Sequence, residues 1–185
     1  MEFSTPFRKA PMRKEAKTAE ACEKHWEMCS ISRSIEKIGD SWSLLILRDL
    51  GNGYSKYEEI KEHLEINPST LSKRLQSLVS EGLVEKVLYQ NNPPRAEYKL
   101  TAMGQDFLPV LAMIMVWGNK HASPRGVDTQ LVDSKTHREL APVIVDSKTG
   151  KPIDFRNIVY AGGPGNSPTK EKLLKARGAP LGASD

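Results

Sequence analysis

A chain of 185 residues with 38% hydrophobic content can bury one core with appendages, or one domain beside a small second one. No run of about 18 apolar residues is present, so no membrane span is expected, and the basic N-terminus MEFSTPFRKAPMRKEAK lacks the apolar centre of a secretory signal. Cys22 and Cys29 are too few for a disulfide scaffold, and a reducing, cytoplasmic setting is expected.

The net charge of +4 is unevenly spread. Residues 1–19 carry five Lys and Arg against two acids, residues 20–67 six against ten, and residues 68–99 five against three. Such segregation suits a polyanion on one side, although ordinary solvated charge also produces it.

In chain order, residues 1–19 lack periodicity and read as a flexible basic arm. Residues 20–122 are mostly helical in pattern. Ser41-Trp42-Ser43 leads into LLILRDL, a buried helix closed by Gly51-Asn52-Gly53. Ser55 is placed to cap the next helix, whose apolar face is Tyr57, Ile60 and Leu64, and Glu65-Ile66 forms a short link.

NPSTLSKRLQSLVSEGL follows. Asn67 is a good N-cap, and Pro68 fits the first helical position, where its missing N–H costs nothing. Leu71, Leu75, Leu78 and Val79 form one apolar stripe, and Gly82 is placed to end the helix. At about 100° per residue the opposite face holds Ser69, Lys73, Gln76 and Ser80, with Ser72 and Ser77 at its flanks. Glu81, at the far end, is its only acid.

Val84 to Tyr89 and Arg95 to Leu100 then alternate as two strands around the NNPPR tip. Two helices with a tight link, then a hairpin, is the order of a winged helix-turn-helix, whose second helix enters the major groove. The prolines stiffen an exposed tip, and Arg95 supplies charge for a narrow, negative minor groove. Thr101 starts a long helix striped by Met103, Phe107, Val110, Leu111, Ile114 and Trp117, with Pro109 expected to kink it. That apolar surface calls for a second chain, or for N-terminal residues such as Trp26 and Ile31.

CSISRSIEKIGDSWSLLILRDL, together with G-x-x-W-x-x-x-I-L, S-x-x-x-L-x-x-L-x-x-x-G-L-V, P-P-R-x-E-Y and L-T-x-x-G, resembles the HxlR-type winged-helix regulators over residues 29–121. The resemblance implies a transcription factor, most often a repressor, that binds double-stranded operator DNA as a homodimer through its terminal helices. It places Arg95 at the wing arginine and Cys29 at a leading cysteine that some members use to sense oxidants or electrophiles. A buried, inert thiol is the plainer reading of Cys29, and the effector is unspecified. Cys22, His25 and Cys29 share one helical face, but one straight helix rarely supplies three ligands to an ion, so no metal or other cofactor is expected.

The expected fold is thus mostly α with a small β-hairpin (α+β): a winged helix-turn-helix at 20–122 with long flanking dimerisation helices. A β-rich extension at 123–162 and a flexible tail at 163–185 follow. The extension repeats DSKT thirteen residues apart, in LVDSKTHREL and IVDSKTGKPI. Extended family members look similar there but often carry Cys pairs in both turns; this chain has Asp, Ser and Lys, and His137 alone could ligate, so zinc is not expected.

Two homodimer helices in successive major grooves would use Ser69, Thr70, Ser72, Lys73 and Gln76 on bases or nearby phosphates. Arg74, Lys86, Arg95 and Lys99 would hold the backbone or minor groove. The alternative is a winged-helix protein-interaction module without DNA binding, which the acid-free helix face argues against. An enzyme is not expected: GGPGNSPTK lacks the G-K-[ST] of a phosphate loop, and His25, His63, His121 and His137 are scattered.

Overall fold

The structure, a computed structural model, describes residues 30–127 and 129–158. Residues 35–158 cluster as one unit, and residues 1–34 with 159–185 as a second, of which only Ser30–Ser34 is described. The expected arm at 1–19, the tail at 163–185, and Cys22, His25 and Cys29 lie outside the described residues.

The elements are α1 (Ser30–Ile38), α2 (Ser41–Gly51), α3 (Tyr57–Leu64), α4 (Pro68–Ser80), β1 (Val84–Asn91), β2 (Pro94–Leu100), α5 (Ala102–Gln105) and α6 (Leu108–His121). The mostly helical fold with one antiparallel hairpin is the one the sequence implies. Its core joins Ile46, Leu47 and Leu50 of α2, Ile60 of α3, and Leu71, Leu75 and Leu78 of α4.

Each helix end has an identifiable cause. Asp40 caps α2, its carboxylate accepting from the Trp42 and Ser43 N–H groups at 2.9 and 3.3 Å. The residue before α3 is Lys56, not Ser55. Ser55 is drawn into the sheet instead: its carbonyl accepts from the Tyr98 N–H at 2.7 Å, and Lys56 bridges Glu97. The Glu59 carboxylate takes over the capping, accepting from the Ser55 and Lys56 N–H groups. Those donors, Lys56 first, hold its acid below the ordinary range.

The link to α4 turns through Glu65 at φ +49, and α4 ends at Gly82, φ +75, with the Leu83 N–H reaching the Leu78 carbonyl at 3.0 Å. In the hairpin the turn is only Asn92 and Pro93, joined by a cis peptide; Pro94 and Arg95 already pair with Asn91 and Gln90. The return strand therefore begins one residue earlier than expected. Tyr89 is the extra residue of a bulge between Leu88 and Gln90.

The segment after Thr101 is two helices rather than one kinked helix. α5 stops at Gln105, and Pro109 lies in the first turn of α6, where its missing N–H has no partner to lose. The expected stripe splits accordingly. Phe107 and Leu111 pack against the core, while Met103, Val110, Ile114 and Trp117 are exposed. No residue of α6 is buried.

The L-T-x-x-G pattern has a direct mechanical reading. The Thr101 hydroxyl donates to the Gly82 carbonyl at 2.6 Å and accepts from the Gly104 N–H at 3.2 Å. This clamps the start of α5 onto the α4–β1 link. A Cβ on Gly104 would lie 2.2 Å from the Leu83 carbonyl oxygen.

Two side chains in α2 and α3 form a polar contact inside this apolar frame. Asp49 is fully buried; its Oδ1 accepts from Arg48 at 2.7 and 3.0 Å, and its Oδ2 lies 2.7 Å from His63 Nδ1. A carboxylate only accepts, so the proton between them sits on Nδ1. Tyr54 stacks on the His63 ring at 4.4 Å.

The extension forms two small knuckles rather than full strands, closed by single bridges, Val132 to Glu139 and Val145 to Pro152. Asp133 accepts from the Lys135 and Thr136 N–H groups and the Thr136 hydroxyl; Asp146 accepts from the Lys148 N–H and the Thr149 hydroxyl. These donors hold both carboxyls below the free value of 3.8, with the Thr136 N–H the largest cause for Asp133 and the Lys148 N–H for Asp146.

Gly104→Ala is expected to lower stability by about 1–3 kcal/mol, read as a reduced urea midpoint at unchanged m-value, because backbone rather than a flexible side chain must move. For the knuckles, depressed folded pKa values mean that the carboxylate contribution is complete above the ordinary aspartate range. It disappears as pH falls through the lowered folded values. The Thr136 and Lys148 amide resonances should therefore titrate with midpoints below 3.8.

Candidate nucleic-acid interface

The azimuth of α4 decides which side chains face outward. Leu71, Leu75 and Leu78 are at most 1% exposed, so the opposite side is presented to solvent. Ser69, Ser72, Lys73 and Gln76 are exposed there, with Thr70 and Arg74 half-buried at its edges. Asn67 caps the helix by accepting from the Ser69 N–H at 2.9 Å, and Pro68 occupies its first turn.

Arg74 differs from the other cations of the expected site. Its Nε lies 3.1 Å from Asp40 Oδ2 and is itself buried. The N–H does not point at the carboxylate well enough for a hydrogen bond, so the contact is ionic. This ties α4 to the start of α2, and one carboxylate both caps and anchors.

Tyr57 supplies a second tie. Its hydroxyl donates to the Pro68 carbonyl at 2.8 Å and lies 3.1 Å from Ser72 Oγ. Neither Asp40 nor Tyr57 belonged to the sequence-derived set. An Asp immediately before a Ser-Trp-Ser helix start is an N-cap signal that could have been read. The reach of Tyr57 across the turn depends on tertiary packing and left no local mark.

On the hairpin, Lys86 and Arg95 are exposed. Lys86 joins Ser72, Gln76, Val79, Leu75 and Tyr98 around an open groove of about 370 Å³ between α4 and the strands. Partial burial first, then the Tyr57 phenol, pushes the Tyr98 phenol up, so it stays a neutral donor at neutral pH. Arg95 is next to the turn, opposite Gln90. Lys99 pairs with Glu97 at 2.6 Å, a solvent-exposed contact that a phosphate could displace. That pairing raises the Lys99 pKa, keeping it charged.

Two acids near α4 are matched within the fold. Glu81, its C-cap, meets Lys37 at 2.5 Å, and Asp40 meets Arg74. The outer face of α4 from Ser69 to Gln76 presents hydroxyls, an amide and one lysine, with no carboxylate among them. Such a surface can donate to and accept from base edges, and it does not repel phosphates. Among the described residues, no group of three His, Cys, Asp or Glu could hold a metal ion, and no helix is long and apolar enough to cross a membrane.

Comparison with known proteins places this geometry. The family model described as HxlR-like helix-turn-helix matches residues 37–125. An uncharacterized HTH-type transcriptional regulator of Mycobacterium tuberculosis is 34% identical over 137 residues, covering 74% of this chain and 87% of that protein. Another, from Methanothermobacter thermautotrophicus, is 33% identical over 97 residues, covering 52% and 74%. Among solved structures, the candidate transcription factor PA1607 superposes with a TM-score of 0.65 at 28% identity, over 71% of this chain and 93% of that one. PA1374 of Pseudomonas aeruginosa, also a candidate transcription factor, gives 0.60 at 34% identity, over 79% and 100%. These relatives are regulators, and the match runs through the capped α4, the wing and the Thr101–Gly104 clamp alike: this chain belongs to the HxlR-type family of winged helix-turn-helix, DNA-binding transcriptional regulators.

Proposed function

We propose that the chain acts as a homodimeric repressor on a palindromic operator, with one α4 helix in each of two successive major grooves. The observation that carries this reading is the carboxylate-free outer face of α4, held in place from behind by three buried leucines. Lys73 and Gln76 project from its centre toward base edges or the flanking phosphates. Lys86 stands across the groove beside them, and Arg95 at the wing tip reaches the adjacent minor groove. Arg74, already joined to Asp40, positions α4 rather than reading sequence. Any response to oxidants or electrophiles would rest on Cys29, which lies outside the described residues.

The dimer is supported by α6. Val110, Ile114 and Trp117 stand at i, i+4 and i+7 on one exposed stripe, with Trp117 62% exposed, and Met103 continues the surface on α5. An apolar stripe of that kind, on a helix with no buried residue, marks a surface for another apolar face to cover. Two-fold pairing would cover it with its own copy and set the half-sites about one helical turn, roughly 34 Å, apart.

Lys73→Ala or Gln76→Ala is expected to cost about 1–3 kcal/mol on the cognate site and to relax preference at one position. Arg95→Ala should weaken all duplexes alike and lower the salt slope by about 1. Both are read by mobility shift against salt on fragments the protein retains from its own genome. A chain that retains no fragment at about 50 mM salt, where phosphate contacts are strong, would sink the DNA reading. For the dimer, Ile114→Lys with Trp117→Glu should sediment at half the wild-type mass, and an unchanged mass would remove α6 from the interface.

A further inference from the structure

We infer that Tyr57 is a specificity-positioning residue: by fixing the hydroxyl proton of Ser72, it makes Ser72 an acceptor-only reader that selects a base presenting an exocyclic amine in the major groove. The inference rests on the DNA reading above and names what one of its contacts recognises. The tyrosine has one hydroxyl proton, and the Pro68 carbonyl, 2.8 Å away, can only accept. Placing that proton toward Ser72 would leave two bare oxygens facing each other at 2.8 Å. The proton therefore goes to Pro68. The 3.1 Å contact between Tyr57 Oη and Ser72 Oγ must then be filled by the serine proton.

Ser72 is exposed, so its outward side carries lone pairs and no donor. The same holds one turn earlier for Ser69. Its hydroxyl donates at 2.8 Å to Asn67 Oδ1, an oxygen identified by the Ser69 N–H it also accepts at 2.9 Å. Two hydroxyls at i and i+3 on the outer face are thus turned the same way, and each can only accept.

Phosphates are acceptors, so neither serine can hydrogen-bond one without breaking its internal bond. In the major groove the donors are the N6 amine of adenine and the N4 amine of cytosine; guanine and the thymine carbonyl offer acceptors. Every base pair carries one such amine, on one strand only. What Ser72 reads is therefore strand polarity: adenine or cytosine, against guanine or thymine.

The test is selection from random duplexes with the full chain, run in parallel for wild type, Ser72→Ala and Tyr57→Phe at one salt concentration. Ser72→Ala identifies the contacted position as the one whose preference disappears. There the wild type should favour A and C over G and T by about five- to ten-fold, the scale of a single base-edge contact. Tyr57→Phe frees the serine proton and should admit G and T at that position, leaving the other positions as they were. Wild-type preference for G or T there overturns the inference, as does an unchanged preference in Tyr57→Phe or no altered position in Ser72→Ala. Loss of preference at every position in Tyr57→Phe would make the tyrosine a structural strut and overturn it too. Those results leave DNA binding standing; a wild type that enriches no sequence removes the DNA reading together with this inference.

Discussion

The packing of Leu71, Leu75 and Leu78 against α2 and α3 fixes the rotation of α4, and every outward-facing role in the molecule depends on that angle. Burying a leucine side chain is worth about 1.5–3 kcal/mol, so three of them outweigh any set of surface contacts that would prefer another rotation. A turn of 100°, one residue's worth, would carry Ser72 and Gln76, or Thr70 and Arg74, into the core positions and expose a leucine. Polar contacts then refine what the leucines determine. The Asp40–Arg74 ion pair and the Tyr57–Pro68 hydrogen bond hold the helix along its axis from two neighbouring elements. Both involve the start or edge of α4, where the leucine stripe constrains it least.

Buried polar groups do a different job in this fold. Asp49 has no exposure, and its two oxygens are matched by Arg48 and His63. A pair of this kind adds little net stability over an apolar substitute, because removing the charge from water offsets most of the attraction. What it provides is direction, since a hydrogen bond fails at the wrong angle whereas leucine contacts tolerate sliding. The Asp49–His63 contact accordingly sets how α3 lies against α2, and α3 carries Tyr57 to the front of α4.

What could be read from the sequence follows from how local each cause is. The start of α4 was legible because Asn67 and Pro68 act within one turn, and its end because Gly82 needs positive φ. The inward stripe was legible because its period is that of the helix. Less local features were not. Ser55 looks like a cap, but the sheet claims its carbonyl for Tyr98, more than forty positions later in the chain. LLILRDL looks wholly apolar around Arg48 and Asp49, and only the arrival of His63 explains a carboxylate inside. Pro109 was placed correctly as a disruption but with the wrong outcome. A proline interrupting a helix and one opening the next have the same sequence, and the Asp106–Phe107 step decides between them. In the outer face of α4, residue identity was visible but hydroxyl direction was not, because Tyr57 belongs to another helix.

The two DSKT knuckles show how far local hydrogen bonding can replace a core. Each turn is closed by an aspartate that gathers one or two backbone N–H groups and a threonine hydroxyl, so the turn geometry is set within four residues. Positive φ at His137 in one and Gly150 in the other completes the reversal at matching positions of the repeat. With the carboxylate oxygens committed to these donors, the turn needs no apolar cluster beneath it, and Val143, Val145 and Phe155 are left exposed. The extension is thus specified by its own backbone donors and α4 by the leucines behind it. The repeat therefore tolerates Gly150 where the first copy has His137, whereas the rotation of α4 requires all three leucines at once.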